Sequence, residues 1–107
     1  MITFDDFAKL ELKVGTVLES VEVEGSEKLI KLQIDLGEEN PRQILAGIKK
    51  SYTPEELVGK QIIVVANLEP RMMMGHESAG MMLVADAEDN LIFLTPEKQV
   101  SPGIKIS

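Results

Sequence analysis

Cysteine is absent from the 107 residues, which excludes disulfides, iron–sulfur clusters, cysteine-based zinc sites and thiol catalysis. Histidine occurs once, at His76, so a multi-histidine metal site within one chain is excluded as well. No apolar run approaches the ~20 residues that cross a bilayer. The opening residues, Met1 to Asp6, lack the basic start and apolar stretch of a signal peptide. Glycine-rich phosphate-binding fingerprints of the P-loop or dinucleotide kind are also missing. Basic residues are the minority: eleven Lys and Arg stand against eighteen Asp and Glu, a formal charge of −7. Taken whole, that charge opposes nonspecific binding to nucleic acid or anionic membranes, because like charges repel at long range.

What is present is an ordinary globular composition, 44% hydrophobic and 27% charged, long enough for one domain with one core. The chain is too short for a multidomain enzyme unless it is a piece of one. A single soluble cytoplasmic domain with no membrane partner is the expectation.

Thr3 followed by Asp6 has the spacing of a helix cap and predicts a short helix burying Phe4, Phe7 and Leu10. From Leu10 the apolar period becomes two, since Leu10, Leu12 and Val14 alternate with Glu11 and Lys13, as in a half-buried strand. After Gly15 the apolar positions move to odd numbers, Val17, Val21 and Val23. That switch predicts a bulge at Gly15–Thr16 that bends a long strand. A turn at Glu24 to Glu27 leads to clean alternation through Ile30, Leu32, Ile34 and Leu36. Gly37 to Pro41 reads as a polar hairpin loop and Gln43 to Ile48 as the returning strand. Thr53-Pro54-Glu55-Glu56 supplies a cap, an N1 proline and a glutamate at N3, a helix that Gly59 soon stops.

Ile62 to Ala66 is a continuous, mostly β-branched run, expected to be buried on both faces. Pro70 to Gly80 reads as loop. Met81 to Ala85 and Leu91 to Leu94 read as strands around a polar turn, and Ile104 and Ile106 suggest one last strand. Five or more strands with a short helix between the third and fourth is the order of an OB-type barrel. The expected fold is therefore all-β: a five-stranded OB-fold barrel with short helices, its core over about residues 10–85 and a C-terminal β extension over about 86–107.

Charge is unevenly divided. Residues 1–41 carry four cations and ten acids, a net of −6. Residues 42–75 carry five cations (Arg42, Lys49, Lys50, Lys60, Arg71) and three acids, a net of +2, and residues 76–107 carry two and five, a net of −3. A polyanion site is therefore expected mainly in the middle third, the alternative being ordinary scatter of surface charge. Five of the six methionines, Met72, Met73, Met74, Met81 and Met82, fall close together. They either fill a core or form a sticky, flexible loop. Three in a row cannot all face inward from an extended segment, so at least one is expected at the surface, facing a base, a second subunit or a peptide. Ser78 lies near His76, but no orienting acid is identifiable, and no catalytic residue, metal or cofactor is expected.

Six segments, in order, resemble a known family: Leu10 to Gly15, Ser26 to Leu29, Ala46-Gly47-Ile48, Tyr52 to Leu57, Val64 to Arg71 and Ser78 to Leu83. The family is the OB-fold tRNA-binding domain found at the C-terminus of bacterial methionyl-tRNA synthetases, in free-standing dimeric tRNA-binding proteins and in synthetase-associated cytokine-like factors. The resemblance spans essentially the whole chain. Its most specific stretch is Ala66-Asn67-Leu68 with Pro70-Arg71, then Gly75, then Ser78 with Gly80-Met81. It implies structure-selective binding of folded tRNA, no catalysis in the domain, and a methionyl-tRNA synthetase partner in cis or in trans. It also implies a homodimer whose interface includes segments outside the barrel, among them the part after about Leu83.

Carried over residue by residue, Asn67, Arg71, Ser78 and Met81 border the family's RNA surface, and Lys28, Arg42, Lys49 and Lys50 fall where the family often places basic residues. Asn67 and Ser78 would hydrogen-bond sugar or base edges, while Arg71 and the lysines would contact phosphate. A barrel or interface role stays open for Met81, and a structural cap holding the next loop stays open for Asn67. After Pro-Arg the family usually continues with a basic residue, an aliphatic one, a second basic residue and Gly. Here Met72, Met73, Met74 and Gly75 occupy those places, so both cations are missing, and Lys13 stands where Arg is common. Each lost phosphate contact removes about one unit of salt slope, so binding is expected to be modest and salt-sensitive. A different expectation is a dimeric protein-interaction or chaperone-like module holding a hydrophobic peptide on the Met-rich loop, since related OB-fold dimers include a secretion-associated chaperone. A third is a domain that only dimerises a longer chain.

Overall fold

In the computed structural model, which describes residues 1–107, the period-two stretches become antiparallel strands. After a short helix, α1 (Phe4–Ala8), strand β1 (Leu12–Glu22) pairs with β2 (Ile30–Asp35), and β2 with β3 (Arg42–Ala46). A second short helix, α2 (Pro54–Leu57), precedes β4 (Gln61–Val65), which lies along the other edge of β1. A hairpin of β5 (Arg71–Met73) and β6 (His76–Ser78) follows, and β7 (Met81–Met82) then pairs with β4. The chain ends through a hairpin of β8 (Val84–Ala87) and β9 (Asn90–Phe93) and a last strand, β10 (Lys105–Ile106), on β1.

The sheet order is β3-β2-β1-β4-β7, and its two ends meet. The Ala79 N–H donates to the Gln43 carbonyl at 2.8 Å, and the Leu45 N–H donates to the Ser78 hydroxyl at 3.0 Å. The result is a nearly closed five-stranded antiparallel barrel, the architecture that the strand pattern implied. β10 occupies the edge of β1 that β2 leaves free. Leu12 and Lys13 face Ile106 and Lys105, whereas β2 pairs with β1 only from Thr16 onward.

Alternation places one side of each strand inward. Leu32, Ile34, Ile44, Leu57, Ile62 and Val64 are fully buried members of the barrel core. Gly15 faces the same interior opposite Ile62, and a Cβ there would lie 2.5 Å from the Ile34 Cγ2, so only glycine leaves room for that packing. The bulge is not at Gly15–Thr16. The ladder from β1 to β4 runs unbroken from Leu12 to Thr16, and the register shift falls between Val17 and Glu19, on the β2 side. The parity switch instead reflects a change of buried face: Leu12 and Val14 share the outer face of β4's Val65 and Ile63 and are buried outside the barrel cluster.

Two further expectations are corrected. Thr3 and Asp6 do cap α1, each backbone N–H bonding the other's side chain at 3.2 Å, but the helix buries nothing. Phe4 is 79% exposed and Leu10 43%, because five residues of helix project beyond the start of β1. The segment read as loop from Pro70 to Gly80 contains the β5–β6 hairpin, closed by a two-residue turn in which Met74 (φ 53°) and Gly75 (φ 80°) are both left-handed. Such turns favour Asn-Gly, and a methionine at the first position hides the signal.

Glu56 closes the start of α2 by accepting from the Thr53 N–H at 2.7 Å and the Thr53 hydroxyl at 3.1 Å, above the fully buried Leu57. Those two bonds, the backbone one first, hold its carboxyl below the ordinary glutamate value, with Lys60 adding to them and slight desolvation opposing. A depressed folded-state pKa means stabilisation that is complete above the unfolded value and lost as pH falls through the folded one. Glu56→Gln is therefore expected to lose stability at neutral pH but to show a shallower decline on acidification below about pH 4.5, compared by urea midpoints across that range. Equal acid slopes for both proteins would refute this role.

The C-terminal third packs onto the same chain. Val84, Leu91 and Phe93 lie against the core, Tyr52 and Phe93 stack with ring centroids 5.2 Å apart, and the Leu91 N–H donates to the Ser51 hydroxyl at 3.0 Å. No helix is long and apolar enough to cross a membrane.

Candidate nucleic-acid interface

Where the barrel ends meet, a groove of about 320 Å³ opens between the end of β3, the β5–β6 hairpin and β7. Its walls are mostly apolar, with Leu45, Ile48, Leu68, Met73 and Met81 prominent, and Glu69 and Arg71 are its only charged lining residues. The hairpin is held above it by Met73, which packs on Val23, Leu29 and Leu45. This joins the β4–β7 connection to the β1–β2 loop, the two loops with which OB barrels bind oligonucleotides.

The residues expected at an RNA surface divide into two groups. Arg71, Lys28 and Lys50 are exposed, and their side chains take part in none of the three ion pairs and none of the hydrogen bonds of the fold. Met81 is half-exposed and lines the groove, while its neighbour Met82 faces the core, so the Met81 side chain lies outside the barrel core. Met72 and Met74 stand exposed on the hairpin, where the family's cations are missing.

The other four are committed within the chain. The Arg42 guanidinium grips the Glu38 carboxylate at 2.6 Å, also donates to the Ala66 carbonyl, and donates to the Ala79 carbonyl at 3.3 Å, pinning three segments together. Lys49 donates to the Ser26 carbonyl at 3.0 Å and lies 3.7 Å from Glu22. Ser78 is 4% exposed, and its hydroxyl accepts from the Leu45 N–H and donates to the Gly80 carbonyl at 3.1 Å, so it locks the barrel seam at the groove's lining. Asn67 accepts from the Glu11 N–H at 2.9 Å and donates to the Lys9 carbonyl at 2.6 Å. It is a structural clamp, but on the segment before β1 rather than on the loop after β4. In each case the side chain's polar group is taken up by a backbone group of another segment, fully buried only for Ser78.

Glu69, Gly47 and Gln61 were not singled out from the sequence. Glu69 lies between Leu68 and Pro70 within the signature stretch, and its polar side chain was hidden by that context. Gln61 heads the β-branched run of β4, and a nearly buried amide at that point was the available signal. The β1–β2 loop is acidic, with Glu22, Glu24 and Glu27 around a shallow depression whose only cation is Lys49. Lys28 follows these acids in the loop, and the other two free cations of the expected surface, Arg71 and Lys50, lie outside it.

A barrel of this topology with free cations beside an apolar groove defines a domain of the oligonucleotide-binding class. The family model described as "Putative tRNA binding domain" matches residues 12–105, and the chain belongs to that family. A methionine–tRNA ligase of Methanococcoides burtonii is 53% identical over 104 residues, which cover 96% of this chain and 15% of the ligase. This chain thus spans only a small part of the curated relatives it matches. A MetRS-related protein from Pyrococcus horikoshii is 36% identical with a TM-score of 0.93, covering 100% of this chain and 98% of that one. The chaperone CsaA of Bacillus anthracis is 37% identical with a TM-score of 0.91, covering 100% and 99%.

Proposed function

We propose that this domain binds folded tRNA by shape, without catalysis of its own, and serves a methionyl-tRNA synthetase in the cytoplasm, in cis or in trans. The observation that carries this reading is the free Arg71 guanidinium on the wall of an apolar groove, inside the stretch that bears the family signature. Lys50 and Lys28 extend the same positive edge, because the Lys49 N–H bonds the Lys28 carbonyl at 3.1 Å and so joins the two segments. Phosphate contacts from these side chains supply affinity and orientation, and the tRNA held there is delivered to the enzyme at raised local concentration. Homodimerisation is part of the reading, supported by apolar side chains left uncovered on α1 and the C-terminal segment, Phe4, Leu94 and Ile104 among them.

The test is anisotropy titration of a fluorescent tRNA transcript across a salt series. Three free cations predict a log–log slope of about −2 to −3. Salt-independent binding would overturn the assignment. The exposed Met72 and Met74 and the likeness to CsaA favour a second reading, capture of a hydrophobic peptide. A peptide array probed in parallel decides between them.

A further inference from the structure

Gly47 has no structural reason to be glycine. Its φ lies outside the left-handed region, and a Cβ built on it meets nothing within 4 Å. Glycine at such a point leaves the backbone open to close approach from outside the chain. Gly47 lines the groove beside Ile48, and the same wall runs directly into Lys49 and Lys50, while Arg71 stands among the other lining residues.

We infer that this groove receives one unstacked base of the bound RNA, flanked by phosphates on Arg71 and Lys50. The inference rests on the tRNA-binding reading and deepens it. The volume, about 320 Å³, sits at the small end of ligand pockets, ~300–1,000 Å³, and suits a single ring system rather than a run of peptide side chains. The walls supply what a base needs in place of aromatic partners. Met73 and Met81 present polarisable thioethers above a floor formed by the nearly buried Leu45 and Ile48. Glu69, the one carboxylate in the groove, makes no ion pair or hydrogen bond within the chain and accepts from the exocyclic amine of a cytosine, a group that uracil lacks. A lone hydrophobic peptide would leave the Arg71 charge unanswered. Glu22, Glu24 and Glu27 repel the RNA backbone from the tip of the β1–β2 loop and leave the side of Lys28, Lys50 and Arg71 as the open approach.

The six methionines provide the readout. Met73, Met81 and Met82 line the groove, and Met1, Met72 and Met74 do not. With ¹³C-methyl-methionine protein, hexacytidylate RNA is expected to shift the first three methyls upfield by ring current and leave the other three nearly unmoved. Hexauridylate is expected to shift them less at the same concentration, and Glu69→Gln to remove that difference. Gly47→Leu puts a bulky side chain on the groove lining, where a Cβ meets nothing within 4 Å, and is expected to weaken tRNA binding about tenfold. Met81→Ser, at a half-exposed position, gives an independent loss if the leucine variant fails to fold. Wild-type tRNA affinity in both variants, with unmoved groove methyls, would refute the base site while leaving tRNA binding in place. No tRNA binding by the unaltered protein would instead refute the parent reading. Groove shifts with a hydrophobic peptide and none with RNA would assign the site to peptide.

Discussion

Arg71→Glu combined with Lys50→Glu is expected to abolish measurable tRNA binding at moderate salt, a loss on the order of a hundredfold or more, while the barrel stays folded. Both halves of that expectation follow from where the side chains sit. Neither side chain makes an ion pair or hydrogen bond to another part of the chain, and both residues are exposed, so reversal removes no internal side-chain bond. Two favourable phosphate contacts become two repulsions, and four units of charge are added to a chain that already carries −7. Arg42→Glu is the instructive contrast. It would break the grip on Glu38 and on the Ala66 and Ala79 carbonyls and set a second carboxylate beside Glu38, so it lowers stability first. Lys49→Glu likewise releases Ser26 and faces Glu22. Anisotropy titrations paired with urea midpoints separate the two kinds of loss. Wild-type affinity in the Arg71/Lys50 variant would remove this surface from consideration.

The strands of the barrel were legible because one face of each meets a core, so a period of two is written into Ile30, Leu32 and Ile34 and into the run of β4. Caps were legible for the same local reason, since Thr3 with Asp6 and Thr53 with Glu56 act within a single turn. What alternation alone misreported was the facing of residues buried outside the barrel. Leu12 and Val14 look like barrel residues in sequence, yet they lie on the outer face of β1. The left-handed Met74 hid a hairpin, because turn chemistry is read from residue type and methionine carries no turn signal.

The candidate site was legible as a region and not as a set of contacts. The basic middle third does contain Arg71 and Lys50, but polar type alone does not reveal whether a side chain is already committed. Arg42, Lys49, Asn67 and Ser78 are each bound to a backbone group between 23 and 58 residues away, pairings that exist only once the chain folds. The net charge of −7 acquires a geometry in the same way. Much of the acidity near the hairpin belongs to Glu22, Glu24 and Glu27 around the β1–β2 loop, while Arg71, the one cation on the groove wall, makes no ion pair. Modest, salt-dependent binding by shape is what that division supports.

Gln61→Leu is expected to release the C-terminal arm and to cost about 3 kcal/mol of stability, since three hydrogen bonds are lost and buried backbone groups are left unpaired. The Gln61 amide works as a piece of ladder. It donates to the Val100 carbonyl at 2.6 Å and to the Thr16 hydroxyl at 3.1 Å, and its oxygen accepts from the Val100 N–H at 3.0 Å. Beyond that clamp, Gly103 threads past Leu36 with φ +90°, donating to the Val14 carbonyl at 2.7 Å, and β10 completes the edge of β1. Without the clamp the arm is held by the two β10 pairs on β1 and by the Gly103–Val14 and Ile104–Val14 backbone bonds, a short edge contact that frays readily. Trypsin should then cut at Lys98 and Lys105 far sooner than in the unaltered protein, and the urea midpoint should fall. Unchanged trypsin resistance would show that Gln61 does not hold the arm. β1 is the middle strand of the order β3-β2-β1-β4-β7, whereas the groove lies at the seam where the two ends of that order meet. The arm and the groove therefore occupy opposite sides of the barrel, and folded Gln61→Leu protein should keep near wild-type affinity for tRNA at each Arg71 site. A homodimer that uses the arm should fall apart in the same variant, so sedimentation and anisotropy on one sample measure assembly and binding as separate properties of the two faces.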